Sequence, residues 1–186
     1  MLIRRTDLAI EAHELWRSGQ KTRRLAGVDS RTVFRRGCRI TSVTVESEEA
    51  ARALGKPRGR YVTLDLAPLL KNADDALERA ARAVGAELKT LLGENVHSVL
   101  VAGLGNAAMT PDAIGPLSTE HVLVTRHLGD LPVFSALTAV SVLTPGVLGR
   151  TGIEALEIVR GAVRAVQPDA LIVIDALASR SLSRLC

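Results

Sequence analysis

Residues 98–116 read SVLVAGLGNAAMTPDAIGP, and the order of residue types predicts a strand, a tight exit and a helix start. Val99, Leu100, Val101 and Ala102 form a short unbroken apolar run, as in a parallel strand buried on both faces. Gly103-Leu104-Gly105-Asn106 interrupts it with residues that tolerate positive φ, so the chain can leave a sheet edge sharply. Thr110-Pro111-Asp112 then has the order of a helix start: a hydroxyl cap, a proline pre-set to helical φ and a first-turn acid. Asp112 is thereby expected near the positive end of a helix, at the carboxyl end of a sheet.

A second strand with the same character lies downstream. Ala170 to Ile174 (ALIVI) is fully apolar and runs into Asp175. Between the two, Val133 to Leu143 is apolar and β-branched and reads as a strand. Gly152 to Val166, with Thr151 as cap, carries Ile153, Leu156, Val159, Val163 and Val166 at helical spacing. Strand, helix and strand in this rhythm predict right-handed βαβ units and a largely parallel sheet. If the strands ending near Ala102 and Ile174 are parallel neighbours, Asp112 and Asp175 both project from the carboxyl edge, where such sheets bind ligands.

Two carboxylates sharing a site cannot both ionise freely, so a proton can be shared between them. Such a pair can activate water against a peptide carbonyl, one carboxylate as base and the other as acid. Two carboxylates are also ordinary ligands for a divalent metal that activates the water itself. The plainer alternative makes Asp112 a capping acid and Asp175 a loop hydrogen-bonder. Spacing alone leaves the three open.

Composition narrows the class. A chain of 186 residues with 47% hydrophobic residues can bury one substantial core, so a single α/β domain over 1–186 is expected. Aromatics make up only 2%, so the core is expected from Leu, Val, Ile and Ala. No apolar run approaches a membrane span, no signal-peptide pattern opens the chain, and the two cysteines, Cys38 and Cys186, make no disulfide framework. An intracellular, soluble, reducing setting is the expectation. The net charge of +4 is uneven: residues 1–60 hold fourteen Lys and Arg against seven Asp and Glu, and the remainder ten against thirteen. Arg35-Arg36 and the 21–24 cluster can attract an acidic partner, or form a solvated basic face. No aromatics interleave with the arginines, so direct nucleic-acid binding is not expected.

Along the rest of the chain, 3–16 reads as a loose short helix with Thr6 as cap, and 19–37 as an arginine-rich connection or modest strand. Arg39 to Glu46 alternates as a strand, Ser47-Glu48-Glu49 opens a short helix closed by Gly55, and Arg60 to Leu66 is another strand. Asn72 to Leu92 is the clearest helix, with Leu77, Ala80, Ala81, Val84, Leu88 and Leu91 expected to face the core. Gly115-Pro116 is expected to restart a helix running to about Leu128.

Eight ordered blocks resemble one family. They are IRRTDLAIEA (3–12), GKPRGRYVTLDL (55–66), GLGN (103–106), TPDAIGP (110–116), VTRH (124–127), PGVLG (145–149), TGIE (151–154) and IDALASRSL (174–182). Together they resemble the germination proteases of spore-forming bacteria over nearly the whole chain. The resemblance implies an endopeptidase that degrades small acid-soluble spore proteins at germination, made as a zymogen, working in the cytoplasm of the spore core and assembled as a homo-oligomer, by family a tetramer. It implies a three-layer α/β/α fold with a mostly parallel sheet, similar to hydrogenase-maturation endopeptidases (phosphorylase/hydrolase-like). It carries the catalytic pair over to Asp112 and Asp175, with no cofactor, although related maturation proteases hold nickel with carboxylates in these positions. Substrate-binding or supporting roles are implied for Asn106, Thr110, His127, Glu154, Ser179 and Arg180. For His127, helix packing stands beside site orientation; for Glu154, a helix-start acid stands beside a site role.

The chain departs from the family in several places. The family continues beyond the IDALASRSL block, so a fragment is expected; a truncated, non-catalytic module that binds through its basic amino-terminal third is the competing reading. Ala107 and Ala108 stand where bulkier or polar residues are usual, and Leu137 to Thr144 is irregular. Gly103-Leu104-Gly105 starts a dinucleotide fingerprint, but Ala108 occupies the third glycine position. Ser179 and Ser181 lack a G-x-S-x-G elbow, and no histidine stands near Cys38 in an evident nucleophile motif, so Cys38 is expected to be a buried small hydrophobe.

Overall fold

The structure is a computed structural model that describes residues 6–19, 25–70, 74–129 and 131–179. Two compact units emerge, residues 1–91 with 177–186 and residues 92–176, each built on its own three-stranded sheet. The class is mixed α/β.

The first unit runs α1 (Ala9–Gly19), β1 (Val28–Arg35), β2 (Cys38–Val45), α2 (Glu48–Leu54), β3 (Gly59–Asp65), α3 (Ala67–Leu70) and α4 (Ala76–Leu92). Its strands form an antiparallel meander in the order β1-β2-β3. The hairpin between β1 and β2 has only Arg36 and Gly37 as its loop, both at positive φ, as a two-residue primed turn requires. The arginine-rich stretch read as a connection or modest strand is therefore an eight-residue strand from Val28 onward.

Residues of β2 alternate between two cores. Cys38 and Ile40 pack with Leu69, Ala80 and Ala83, while Val45, on the other face, packs with Ala50, Leu54 and Trp16. Cys38 is fully buried, its Sγ against the Arg35 carbonyl, and burial pushes its thiol pKa up. It is the buried small hydrophobe expected. Helix α2 keeps its expected ends: Ser47 Oγ accepts the Ala50 N–H at 3.1 Å, and Gly55 closes it at φ 61°.

Helix α4 corrects one expectation. Its buried residues are Ala80, Ala83 and Glu87, whereas Leu77 is 79% exposed and Val84, Leu88 and Leu91 are exposed too. Two alanines let the helix approach β2 closely, and that approach turns the leucines away from the sheet. Apolar periodicity reported the helix correctly but not which side of it is covered.

The second unit runs β4 (Ser98–Gly103), α5 (Ile114–Thr119), β5 (Ala139–Leu143), α6 (Leu148–Thr151), α7 (Ala155–Val166) and β6 (Ala170–Ile174). All three strands are parallel, in the order β5-β4-β6. The central strand is the apolar run, with Val99, Leu100, Val101 and Ala102 all buried. This is the parallel sheet expected from the sequence, with β4 and β6 as direct neighbours.

Several boundaries differ. The helix expected to reach Leu128 ends at Thr119, and a separate 3₁₀ turn spans Arg126–Leu128. The strand expected from Val133 begins only at Ala139, after a 3₁₀ turn at Pro132–Phe134. Thr151 does not cap the long helix: it ends α6, Gly152 reverses the chain at φ 70°, and α7 starts after Glu154, which makes no side-chain cap bond. Among the described residues no helix is long and apolar enough to cross a membrane.

Candidate active site

The carboxyl edge of the parallel sheet is built by close backbone approach. Gly103 ends β4 opposite Ile174, the last residue of β6, and the next residue, Leu104, donates its N–H to the Ile174 carbonyl at 2.8 Å. A Cβ on Gly103 would lie 2.3 Å from the Gly115 carbonyl oxygen. One on Gly115 would lie 2.1 Å from the Leu104 oxygen and 2.5 Å from that of Ile174. Helix α5 thus sits against the ends of β4 and β6 at a distance only glycine permits.

Gly105, at φ 116°, then turns the chain, and the loop returns to it. A Cβ there would meet the Asp112 carbonyl oxygen at 2.1 Å and its Oδ1 at 3.0 Å. The Asn106 N–H donates both to Asp112 Oδ2, at 2.8 Å, and to the Asp112 carbonyl, at 3.1 Å. Asn106 Oδ1 in turn accepts the Ala108 N–H at 3.0 Å, so its side chain shapes the loop.

This geometry revises the helix-start reading. Thr110–Asp112 is a 3₁₀ turn entered from Met109 with no side-chain cap bond, and α5 begins only at Ile114. Asp112 is half-buried and held by the loop's own backbone, while Thr110 is exposed. Asp175 directly follows β6, is exposed, and accepts the Ala176 N–H at 2.8 Å through Oδ1. Asp175 directly follows Ile174, and Asp112 lies against Gly105, the residue after Leu104, so both aspartates stand at the Leu104–Ile174 end of the sheet.

Glu154 lies in the connection between α6 and α7, on the way from β5 to β6, and its side chain makes no cap bond. His127 does not reach the carboxyl edge. Thr125, two residues before it, binds Val140 N at 2.9 Å and the Thr138 carbonyl, at the amino end of β5, and His127 itself is exposed. Ser179 belongs to the first unit, where its Oγ donates to Glu11 Oε1 at 3.0 Å. Arg180 lies outside the described residues. Among the described residues no three His, Cys, Asp or Glu side chains gather to hold a metal ion. Asp112 and Asp175 are two donors, short of the three protein ligands usual in a catalytic zinc site.

One acid of structural weight escaped the sequence reading. Asp169 Oδ2 accepts His97 N at 2.9 Å, Ser98 N at 2.8 Å and Ser98 Oγ at 3.1 Å, and Asp169 N donates back to Ser98 Oγ at 2.9 Å. The backbone donors of His97 and Ser98, then the Ser98 hydroxyl, hold the Asp169 pKa below its ordinary value. This clasp fixes the starts of β4 and β6, at the far end from the candidate site. Its only sequence trace is Gln167-Pro168-Asp169, a turn that predicts an acid but not its partners.

The family model described as germination protease matches residues 8–186. A germination protease of Caldanaerobacter subterraneus subsp. tengcongensis is 45% identical over 186 residues, covering 97% of this chain and 56% of the relative. Those of Clostridium perfringens and Priestia megaterium are each 39% identical, again over 97% of this chain and over 57% and 52% of theirs. The chain spans about half the length of the curated relatives it matches. With the match running through both units and all of the carboxyl-edge blocks, this chain belongs to the germination protease family.

Proposed function

We propose that this chain carries the peptide-hydrolysing centre of a germination protease, an endopeptidase that starts the degradation of small acid-soluble spore proteins in the spore core. Asp112 and Asp175 act on water and the scissile carbonyl. One carboxylate removes the proton of the attacking water, and the other supplies a proton as the peptide nitrogen leaves. Asn106 and Gly105 keep Asp112 in place; Glu154 serves as a supporting acid. Homo-oligomeric assembly and synthesis as a zymogen belong to the same reading.

The observation that carries it is the pairing of β4 with β6, which puts the ends leading to the two aspartates side by side. In open α/β sheets that edge is where ligands bind, and a topology of β5-β4-β6 makes it the switch region. The test is incubation of a purified small acid-soluble spore protein with this chain at neutral pH, read by mass spectrometry. Discrete fragments that vanish with Asp112→Asn support the reading. No fragments from the parent chain would overturn the reading for this chain and leave an incomplete enzyme or a binding remnant.

A further inference from the structure

The first unit holds a cavity of about 250 Å³ over the β-meander, lined by arginines of two strands. Strand register explains how they meet. Arg31 of β1 stands directly opposite Ser42 of β2, so the two share a face. Arg60 of β3 stands opposite Thr44, on that same face, and reaches along it so that its Nε lies 3.4 Å from Ser42 Oγ. Two arginines from the outer strands thus line the cavity on either side of Ser42, and Arg60 bonds its hydroxyl.

The charge at this point is unbalanced. Arg35, the third arginine of the lining, is ion-paired with Glu87 of α4, whose carboxylate is buried. Glu87 is the one acid in the lining. Arg31 makes no side-chain hydrogen bond or ion pair among the described residues, and Arg60 bonds only to the neutral Ser42. Three arginines against one glutamate leave two positive charges facing the cavity.

We propose that this cavity binds a phosphate group. Arginine presents its donors as a planar fork that matches a tetrahedral oxyanion, and two forks plus a hydroxyl exceed what one carboxylate's two oxygens can satisfy. A phosphate monoester carries a charge of about −1.5 to −2 near neutrality, equal and opposite to the unbalanced pair. The volume lies below the roughly 300–1,000 Å³ of pockets for drug-sized ligands, so the site takes the phosphate itself and little of what bears it. A bound phosphate bridges β1 to β3 across β2. This site is independent of the carboxylate edge, and its test does not depend on proteolysis.

The test is calorimetric titration of the full chain with sodium phosphate at constant ionic strength, chloride making up the difference. Saturable one-to-one binding is expected, weakened at least tenfold by Arg31→Gln and by Arg60→Gln. Arg58→Gln is the control, since Arg58 pairs with Glu48 outside the cavity, and is expected to bind as the parent does. Ser42→Ala, a small change that spares both arginines, is expected to weaken binding and keeps the test decisive should an arginine variant misfold. A phosphoserine peptide that outcompetes inorganic phosphate assigns the site to a phosphoryl group on a polypeptide; the reverse order assigns it to the free ion. Absence of saturable binding overturns the proposal, as does equal weakening by Arg58→Gln or equally tight binding of glutamate.

Discussion

Asp112 and Asn106 are joined through a single N–H: the Asn106 amide donates at once to the Asp112 carboxylate, at 2.8 Å, and to the Asp112 carbonyl, at 3.1 Å. The residue proposed to act on water is therefore also the residue that closes its own loop. These two duties separate by substitution. In Asp112→Asn the side-chain oxygen can still accept the Asn106 N–H, so stability should stay within about 0.5 kcal/mol while cleavage falls at least about a hundredfold. Asp112→Ala loses the acceptor as well and should cost about 1 kcal/mol more. Thermal melts beside a fragment assay separate the two, and an Asp112→Asn enzyme with parental activity would remove Asp112 from the mechanism.

Asp175 offers a cleaner case. It is exposed, and among the described residues its one side-chain hydrogen bond is to the adjacent Ala176 N–H. Asp175→Asn should leave the melting temperature unchanged, as exposed substitutions usually do, and abolish cleavage. The double variant should be no slower than either single one, because groups that act as a unit are not additive. A further multiplicative loss in the double variant would show two independent contributions.

The Asp169 clasp predicts an acid limb of stability. Its pKa is depressed in the folded state by donors from His97 and Ser98, so the unfolded chain binds the proton more readily. The stabilisation is complete above the unfolded value of about 3.9 and is lost as pH falls through the lower folded value. Asp169→Asn should therefore flatten the decline of stability below about pH 4. Chemical denaturation of both proteins between about pH 2 and 5 checks this, and parallel curves would show the clasp to be without effect.

Gly115 should tolerate no side chain. A methyl group there overlaps the Leu104 and Ile174 carbonyl oxygens, both backbone atoms that cannot rotate aside. Gly115→Ala should cost about 3 kcal/mol or more and detach α5 from the carboxyl edge. Gly161, in α7 with nothing near its would-be Cβ, is the matched control, and Gly161→Ala should be neutral or stabilising. Equal melting temperatures for the two variants would contradict the packing described.

Much of the candidate site's placement was legible because it is local. The apolar run before Gly103, the run before Asp175 and the spacing of α7 each have one sensible structure, and a crossover between parallel strands has one hand. Asp112 and Asp175 follow from those facts. Loop detail was less legible: Thr110-Pro111-Asp112 has the residue order of a helix start, yet competition from the Asn106 amide draws the carboxylate back and delays the helix to Ile114. His127 shows a different limit. It lies in a family block, but Thr125 anchors that segment to the amino end of β5, and chain order carries no information about which end of a strand a long loop revisits.

Residue order was thus sufficient for whatever depends on neighbours a few positions away: the α/β class, the parallel strands, the capped helix after Ser47, the turn at Gly55 and the two edge aspartates. Folding in three dimensions settled what depends on partners distant along the chain. It divided the strands between two sheets, turned Ala80 and Ala83 rather than Leu77 and Leu88 inward, tied Asp169 to Ser98 across 71 positions and brought Arg31 and Arg60 over Ser42. Periodicity marks a helix or strand and its two faces. Which face is covered depends on the shape and charge of a surface made elsewhere in the chain, and no local pattern encodes it.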